Sequence, residues 1–524
     1  MIERVIENWL INIDERGYQI PFCQLLSLKG YKIVHVSTHG PFEQGKDIIT
    51  IDPEGLPCAF QLKAGDISLE RWRKIRPEIE ELLDIPIIHP SVDKSISHRS
   101  FLVTTGTLSD PVRREIDDRN DKRNRENKTI LETIVRGQLS QDFVNVNEKF
   151  FPKEISNIQL FLNLYTYDGT NPLPKDKITE FLSIIFPSDE KLNKKDIIRL
   201  SSNALIFSGY VLSPFERLKN YWSLADGWII TTAYLIAMAE KHNSFKEIAP
   251  IIELSLKATE VALSNLQKEA LKSPDLMQGG SLFEGMIFPF RATILIGYLA
   301  AFRLFVLLNG DKDWRDDRIV NFYKKYEKDI KLFSEGSVPL FLSLFWYFKK
   351  TGEKEDAHTI LMKLVNTVIQ VNRDQKVGLI SPYYEVETVI RNYMRLLDEP
   401  IYETFADNSY SLDSLVTLIA RSNMKNFLAS KWRSITHIHL SEFVSKFLWE
   451  TFLYRAKHGK LKSKFPNQKQ SWSKLVKEAK KIDKNELPKG LKKYPQFLIL
   501  LLLVFPHRMR PIFVKFFDDV IDKI

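Results

Sequence analysis

The chain has 524 residues, 44% hydrophobic and 27% charged, with a net charge of +9; this excludes a disordered polymer and asks for two or more hydrophobic cores. Two cysteines, Cys23 and Cys58, exclude a disulfide framework, and no CxxC or Cys/His cluster offers a structural zinc site. The positive balance favours an anionic partner, nucleic acid before a membrane surface.

The opening stretch, MIERVIENWLINIDERG, carries charge throughout and lacks the apolar run of a signal peptide, so the expected compartment is the cytoplasm. A helix over PFCQLLSLKG follows. From Tyr31 come four short runs rich in Ile, Val and Phe: YKIVHVS, DIITID, CAFQLK and SFLVTTG. Between the second and third, DPEGLP places Pro53 and Gly55 where a tight hairpin needs them. SLERWRKIRPEIEELLD reads as a helix after the third run. Helix, three strands, helix, strand, helix predicts an α/β domain over 1–152.

LSDPVRREIDDRNDKRNRENK (108–128) is dense in charge of both signs and reads as a solvated helix or loop. Gly and Pro cluster in TYDGTNPLPKDK, predicting a linker over 153–177. Long amphipathic patterns then dominate 178–524, predicting a large all-α region. The apolar runs 292–310 and 497–505 read as buried core helices: the first contains Arg303, and the second is too short to span lipid. Between Arg455 and Lys493 there are fourteen Lys/Arg and three Asp/Glu, so the basic character of the chain lies in this segment. Phe465 and Trp472 interrupt it, and Lys462, Lys464 and Trp472 are candidate nucleic-acid contacts. A solvated surface explains the composition equally well.

The chemistry-bearing pattern is GKDIITIDPEGLPCAFQLKAG, 45–65. Gln61 and Lys63 share one face of a strand, and the hairpin brings Asp47 beside them. A buried lysine requires an anionic neighbour or ligand. A carboxylate and an amide oxygen are hard donors suited to Mg²⁺ or Mn²⁺, and a lysine beside them suits phosphodiester hydrolysis. His39, Lys46, Arg71, Arg73 and Lys74 flank the trio and are candidate phosphate contacts.

With D-x13-QxK on a hairpin and FLVTTGTLSDPVRREI (101–116) as a later strand and helix, the chain resembles the restriction-endonuclease-like PD-(D/E)xK superfamily, in particular its Mrr-like members with a QxK motif. The resemblance implies a Mg²⁺-dependent endonuclease acting on DNA in preference to RNA. It also implies a prokaryotic restriction or anti-phage role, with Asp47 and Gln61 as metal ligands and Lys63 catalytic. A homo-oligomer and a partner protein of a defence system are compatible with it, and no membrane is expected. Such nucleases commonly carry an acid on the helix before the first strand. PFCQLLSLKG has none, so Glu43, or Glu7 on an earlier helix, is expected to supply it.

Two alternatives stay open. One is a non-catalytic nucleic-acid-binding or protein-interaction scaffold with a degenerate nuclease fold. The other is a metal-independent ribonuclease of HEPN type, in which RSITHIH places Arg433, Ser434 and His439 on one helix.

Overall fold

A computed structural model describes residues 2–37, 45–89, 92–93, 96–148, 164, 167–186, 192–272, 282–401, 405–454 and 459–524. The chain divides into two compact units, 1–227 with 247–258, and 228–246 with 259–524. That division falls later than the expected linker at 153–177, most of which lies outside the described residues.

The first unit is an α/β structure. Two helices, α1 (Ile2–Asn12) and α2 (Glu15–Leu28), precede a five-stranded mixed sheet, β1 (Lys32–Val36), β2 (Ile48–Ile51), β3 (Pro57–Lys63), β4 (Arg99–Thr104) and β5 (Leu131–Ile134), in that spatial order. The first three strands pair antiparallel; β3–β4 and β4–β5 pair parallel. The parallel crossovers run through α3 (Leu69–Asp84) and α4 (Asp110–Arg125). At the β2–β3 hairpin, the Asp52 carboxylate accepts from the backbone N–H of Glu54 at 3.1 Å and of Leu56 at 2.8 Å. Gly55 takes the left-handed conformation that the turn requires (φ +89°).

Every residue of β3 is buried, as expected of a strand with neighbours on both edges and helices on both faces. Phe60 points toward α2, meeting Phe22 edge-on at 5.6 Å and stacking on Phe101 at 4.6 Å. Ala59, and with it the odd-numbered face, joins the core formed by Trp72, Ile79 and Leu82 of α3 and Val112 of α4. Gln61 and Lys63 therefore end a strand whose preceding positions on that face are apolar. The densely charged 110–125 stretch is a helix that buries Val112, Ile116 and Arg123, the last paired with Asp84 at 2.7 Å, and exposes most of its other charges. Further along, α5 (Arg136–Glu148), α6 (Lys175–Ile185) and α7 (Lys194–Arg217) complete the unit. Pro21, inside α2, lies so close to Gly209 of α7 that a Cβ there would sit 2.5 Å from the proline ring.

The second unit is largely helical but not all-α, which corrects the sequence expectation. It holds a three-stranded sheet, β6 (Asn408–Ser409), β7 (His439–Ser445) and β8 (Gly459–Lys464). The strands are short, and β8 (GKLKSK) lies in the basic segment, where lysines mask the strand alternation. The 292–310 run falls mostly within α10 (Leu282–Leu308), counting α8 (Tyr221–His242) and α9 (Phe245–Lys272) before it. Residues 285–308 are long and apolar enough to cross a membrane, and 78% of an apolar 18-residue window within them is buried inside the protein. Arg303, in this helix, donates to the backbone carbonyls of Asp313 and Trp314. The 497–505 run forms a fully buried helix, Phe497–Val504.

Candidate active site

The site is assembled at one end of the central strand. The last ladder pair of β2 and β3 is Ile48↔Phe60, and Asp47 follows one residue beyond it. Asp47 N–H donates to the Phe60 carbonyl at 2.9 Å, and its carboxylate Oδ2 accepts from Leu62 N–H at 2.6 Å. The side chain of Asp47 thus takes over a ladder bond, fixing its carboxylate between Gln61 and Lys63 along β3. A charged acceptor on a backbone N–H makes a short, strong hydrogen bond.

Gln61 is buried, and among the described residues its Oε1 has no hydrogen-bond partner. Most buried polar atoms are paired, and a dry acceptor costs about 1–3 kcal/mol. An oxygen lone pair left open beside a fixed carboxylate fits a divalent cation of the hard, oxygen-seeking kind. Among the described residues, no three His, Cys, Asp or Glu side chains cluster into a metal cage. An ion at this site would be held by one or two carboxylates and the amide, keeping waters in the rest of its shell, as Mg²⁺ commonly does.

Lys63 is buried, and its ammonium lies 2.8 Å from Glu78 Oε2 on α3 and 3.8 Å from Glu15 Oε2 on α2. Its ion-pair partners are therefore these two acids, where the hairpin pattern had pointed to Asp47. Arg71 reaches Glu15 Oε1 at 3.7 Å and donates to the carbonyls of Ala64 and Asp66, tying the β3–α3 loop to α2. Tyr18 is wholly buried beneath the cluster, its hydroxyl at 3.1 Å from the Lys63 carbonyl and 3.2 Å from that of Val103. Burial, and then the charges of Glu15 and Asp47, hold its phenol well above its ordinary pKa. Both carboxylates thus lie within electrostatic reach of the same hydroxyl, and the site gathers Asp47, Gln61, Lys63, Glu15 and Glu78.

Close backbone contacts hold this end of the sheet. A Cβ on Gly106 would lie 2.1 Å from the Gly65 carbonyl carbon, and one on Gly45 2.3 Å from the Glu78 carbonyl oxygen. Thr104 Oγ1 donates to the Gly65 carbonyl at 2.7 Å, and Thr105 Oγ1 accepts from Gly65 N–H at 2.8 Å.

Other sequence candidates fare differently. His39 and Glu43 lie outside the described residues. Glu7 is exposed on α1. Lys46, expected at phosphate, is instead buried and donates to the Glu81 carbonyl at 3.4 Å; burial pushes its pKa down to about 8, against the Glu81 charge. Arg71 is engaged as described, Arg73 is exposed, and Lys74 pairs with Glu70 at 2.7 Å. In the second unit, Lys462 is exposed, Lys464 pairs with Asp413 at 2.8 Å, and Trp472 is half-buried. His439 opens β7, whereas Arg433 sits in the last turn of the helix Lys425–Ile435. The single helix expected to carry both does not form, because the chain turns at Thr436–His437.

Sequence reasoning missed Glu15, Glu78 and Tyr18. The helix expected over PFCQLLSLKG starts earlier, at Glu15, where Asp14 caps it by accepting from Gly17 N–H at 2.8 Å. The capping aspartate, followed by Glu15 and Tyr18 three apart on one helix face, was the available signal.

No family model matches the chain, and no curated protein or solved structure is significantly similar to it.

Proposed function

We propose that the chain is a Mg²⁺- or Mn²⁺-dependent endonuclease of the restriction-endonuclease-like kind, hydrolysing phosphodiester bonds, with DNA preferred over RNA. The observation that carries this reading is the unpartnered, buried Gln61 Oε1 beside a fixed Asp47 carboxylate and a buried, acid-paired Lys63. Asp47 and Gln61 would hold the ion. Glu15, on the helix before β1, would take the role that the sequence pattern gave to Glu43 or Glu7. When bound, the divalent ion supplies Lewis acidity toward the phosphate. Lys63 orients the attacking water and offsets the negative charge growing on the phosphoryl oxygens. Glu78 and Glu15 hold that ammonium in position, and Tyr18 anchors the strand end that carries it.

A restriction or anti-phage role in the cytoplasm, with the second unit binding nucleic acid or a trigger, belongs to the same proposal. It is tested by incubating the purified protein with supercoiled DNA, linear DNA and RNA, with Mg²⁺, Mn²⁺ or EDTA. Metal-dependent DNA cleavage is expected. Cleavage in EDTA that depends on His439 would favour the metal-independent ribonuclease, and no cleavage of any substrate would favour the scaffold.

A further inference from the structure

A cavity of about 630 Å³ in the second unit opens beside β8 and has no part in the chemistry above. Its volume suits a small ligand, for which pockets run roughly 300–1,000 Å³. Two aromatic side chains, Trp432 and Phe465, stand on its wall with Lys464, Arg510 and Lys515. We propose that this cleft binds a nucleotide, its phosphate against Lys515, Lys464 and Arg510 and its base against Trp432 and Phe465.

The cations differ in how they are held. Lys464 pairs with Asp413 at 2.8 Å, and Arg510 with Glu442 at 3.1 Å and Glu486 at 3.4 Å. Lys515 has only a backbone acceptor, the Glu478 carbonyl at 2.9 Å, and among the described residues no carboxylate lies within ion-pair distance of it. Burial lowers its pKa; the Asp413 and Glu478 carboxylates oppose the shift, and the Lys464 and Arg421 charges add to it. A half-buried ammonium short of a counter-charge and facing a cavity is where an incoming anion gains most.

The rings are placed to stack. Trp432 is held by its Nε1–H, which donates to the Gln468 carbonyl at 3.2 Å. Phe465 is 55% exposed and is backed by His439, with ring centroids 3.7 Å apart. Stacking on such rings contributes about 1–3 kcal/mol per base. The wall also carries five carboxylates, of which Asp413, Glu442 and Glu486 pair with Lys464 and Arg510, while Glu478 and Asp483 repel a bare polyanion and can accept from the amino groups of a base. The lining therefore favours a nucleotide over inorganic phosphate.

The test is titration of the full-length protein in EDTA with ADP, GDP, CDP and UDP, and with pyrophosphate and the matching nucleosides, followed by tryptophan fluorescence and calorimetry. At least one nucleotide should bind with a Kd below about 100 μM and at least about tenfold more tightly than pyrophosphate or its own nucleoside. Lys515→Met should weaken it by about tenfold or more, and Lys515→Arg, which keeps the charge, should retain it. Trp432→Leu should weaken it while leaving pyrophosphate binding unchanged. The proposal is overturned by no saturable binding up to about 1 mM, by pyrophosphate binding as tightly as every nucleotide, or by unchanged affinity in Lys515→Met. Binding in EDTA is independent of phosphodiester cleavage, so the cleft and the nuclease assignment stand or fall separately.

Discussion

The Lys63 ammonium meets Glu78 at 2.8 Å across the space between β3 and α3, and Glu15 approaches it at 3.8 Å from α2. Two consecutive elements, β3 and α3, and the earlier helix α2 thus converge on one cation at the end of the central strand. A lysine in a strand otherwise suited to burial is costly to the fold unless acids meet it, and here two do. Both acids are partly exposed, with side-chain exposures of 48% for Glu78 and 34% for Glu15, so their pairing is open to exchange with a phosphate.

The unpartnered Gln61 oxygen sets function against stability. Gln61→Met removes a dry acceptor of similar shape and should leave the melting temperature unchanged or raise it by a few degrees, the direction expected from a penalty of about 1 kcal/mol. The same variant should lose any melting shift that wild type shows on adding 10 mM Mn²⁺ at roughly ten times Kd or above. Differential scanning fluorimetry with and without metal reads both. A metal-induced shift equal to wild type in Gln61→Met would remove the amide from the ligand set.

Backbone proximity at the strand ends gives a second expectation. Gly106→Ala puts a methyl 2.1 Å from the Gly65 carbonyl carbon, and the obstruction is main chain rather than a side-chain tip that can swing away. The β3 and β4 ends must separate, which costs about 1–3 kcal/mol and moves Lys63, two residues from Gly65. Denaturant unfolding should show that loss, together with lower cleavage activity. Gly137→Ala, where a Cβ meets nothing within 4 Å, is the matched control.

Lys46 makes the stability pH-dependent in a defined direction. Burial brings its folded pKa down to about 8, against an ordinary value near 10.5, with the Glu81 charge opposing the shift. Below about pH 8 the lysine is charged in both folded and unfolded chains, and the full penalty for burying the charge is present. Between about 8 and 10.5 the unfolded chain binds more protons than the folded one, so this contribution stabilises the fold as pH rises. Lys46→Met should therefore melt above wild type at pH 7, with the difference shrinking toward pH 10. A difference independent of pH would show that the ammonium is not the cause.

How much of this was readable from sequence varies by element. The β2–β3 hairpin was legible because DPEGLP allows few conformations and β-branched runs flank it. β5 was not: LETI is four residues long, follows a charged helix, and owes its pairing to β4 rather than to local preference. The nearness of Asp47 to Gln61 followed from strand geometry. The partners of Lys63 did not, since Glu15 and Glu78 come from helices whose placement depends on the tertiary fold. The helix expected over PFCQLLSLKG begins six residues earlier, at Glu15, and carries Pro21 inside it against Gly209, where no Cβ intervenes. In the second unit, short polar strands offered too little alternation to stand out against helical surroundings.

The most direct measurement is metal-dependent cleavage of supercoiled plasmid by wild type and by Lys63→Ala, with the melting temperature of each. The expected result is a loss of rate of at least about 10²-fold in the variant, the scale for removing one transition-state charge donor, with a melting temperature within a few degrees of wild type. Plasmid cut at the wild-type rate by a folded Lys63→Ala protein would contradict the assignment.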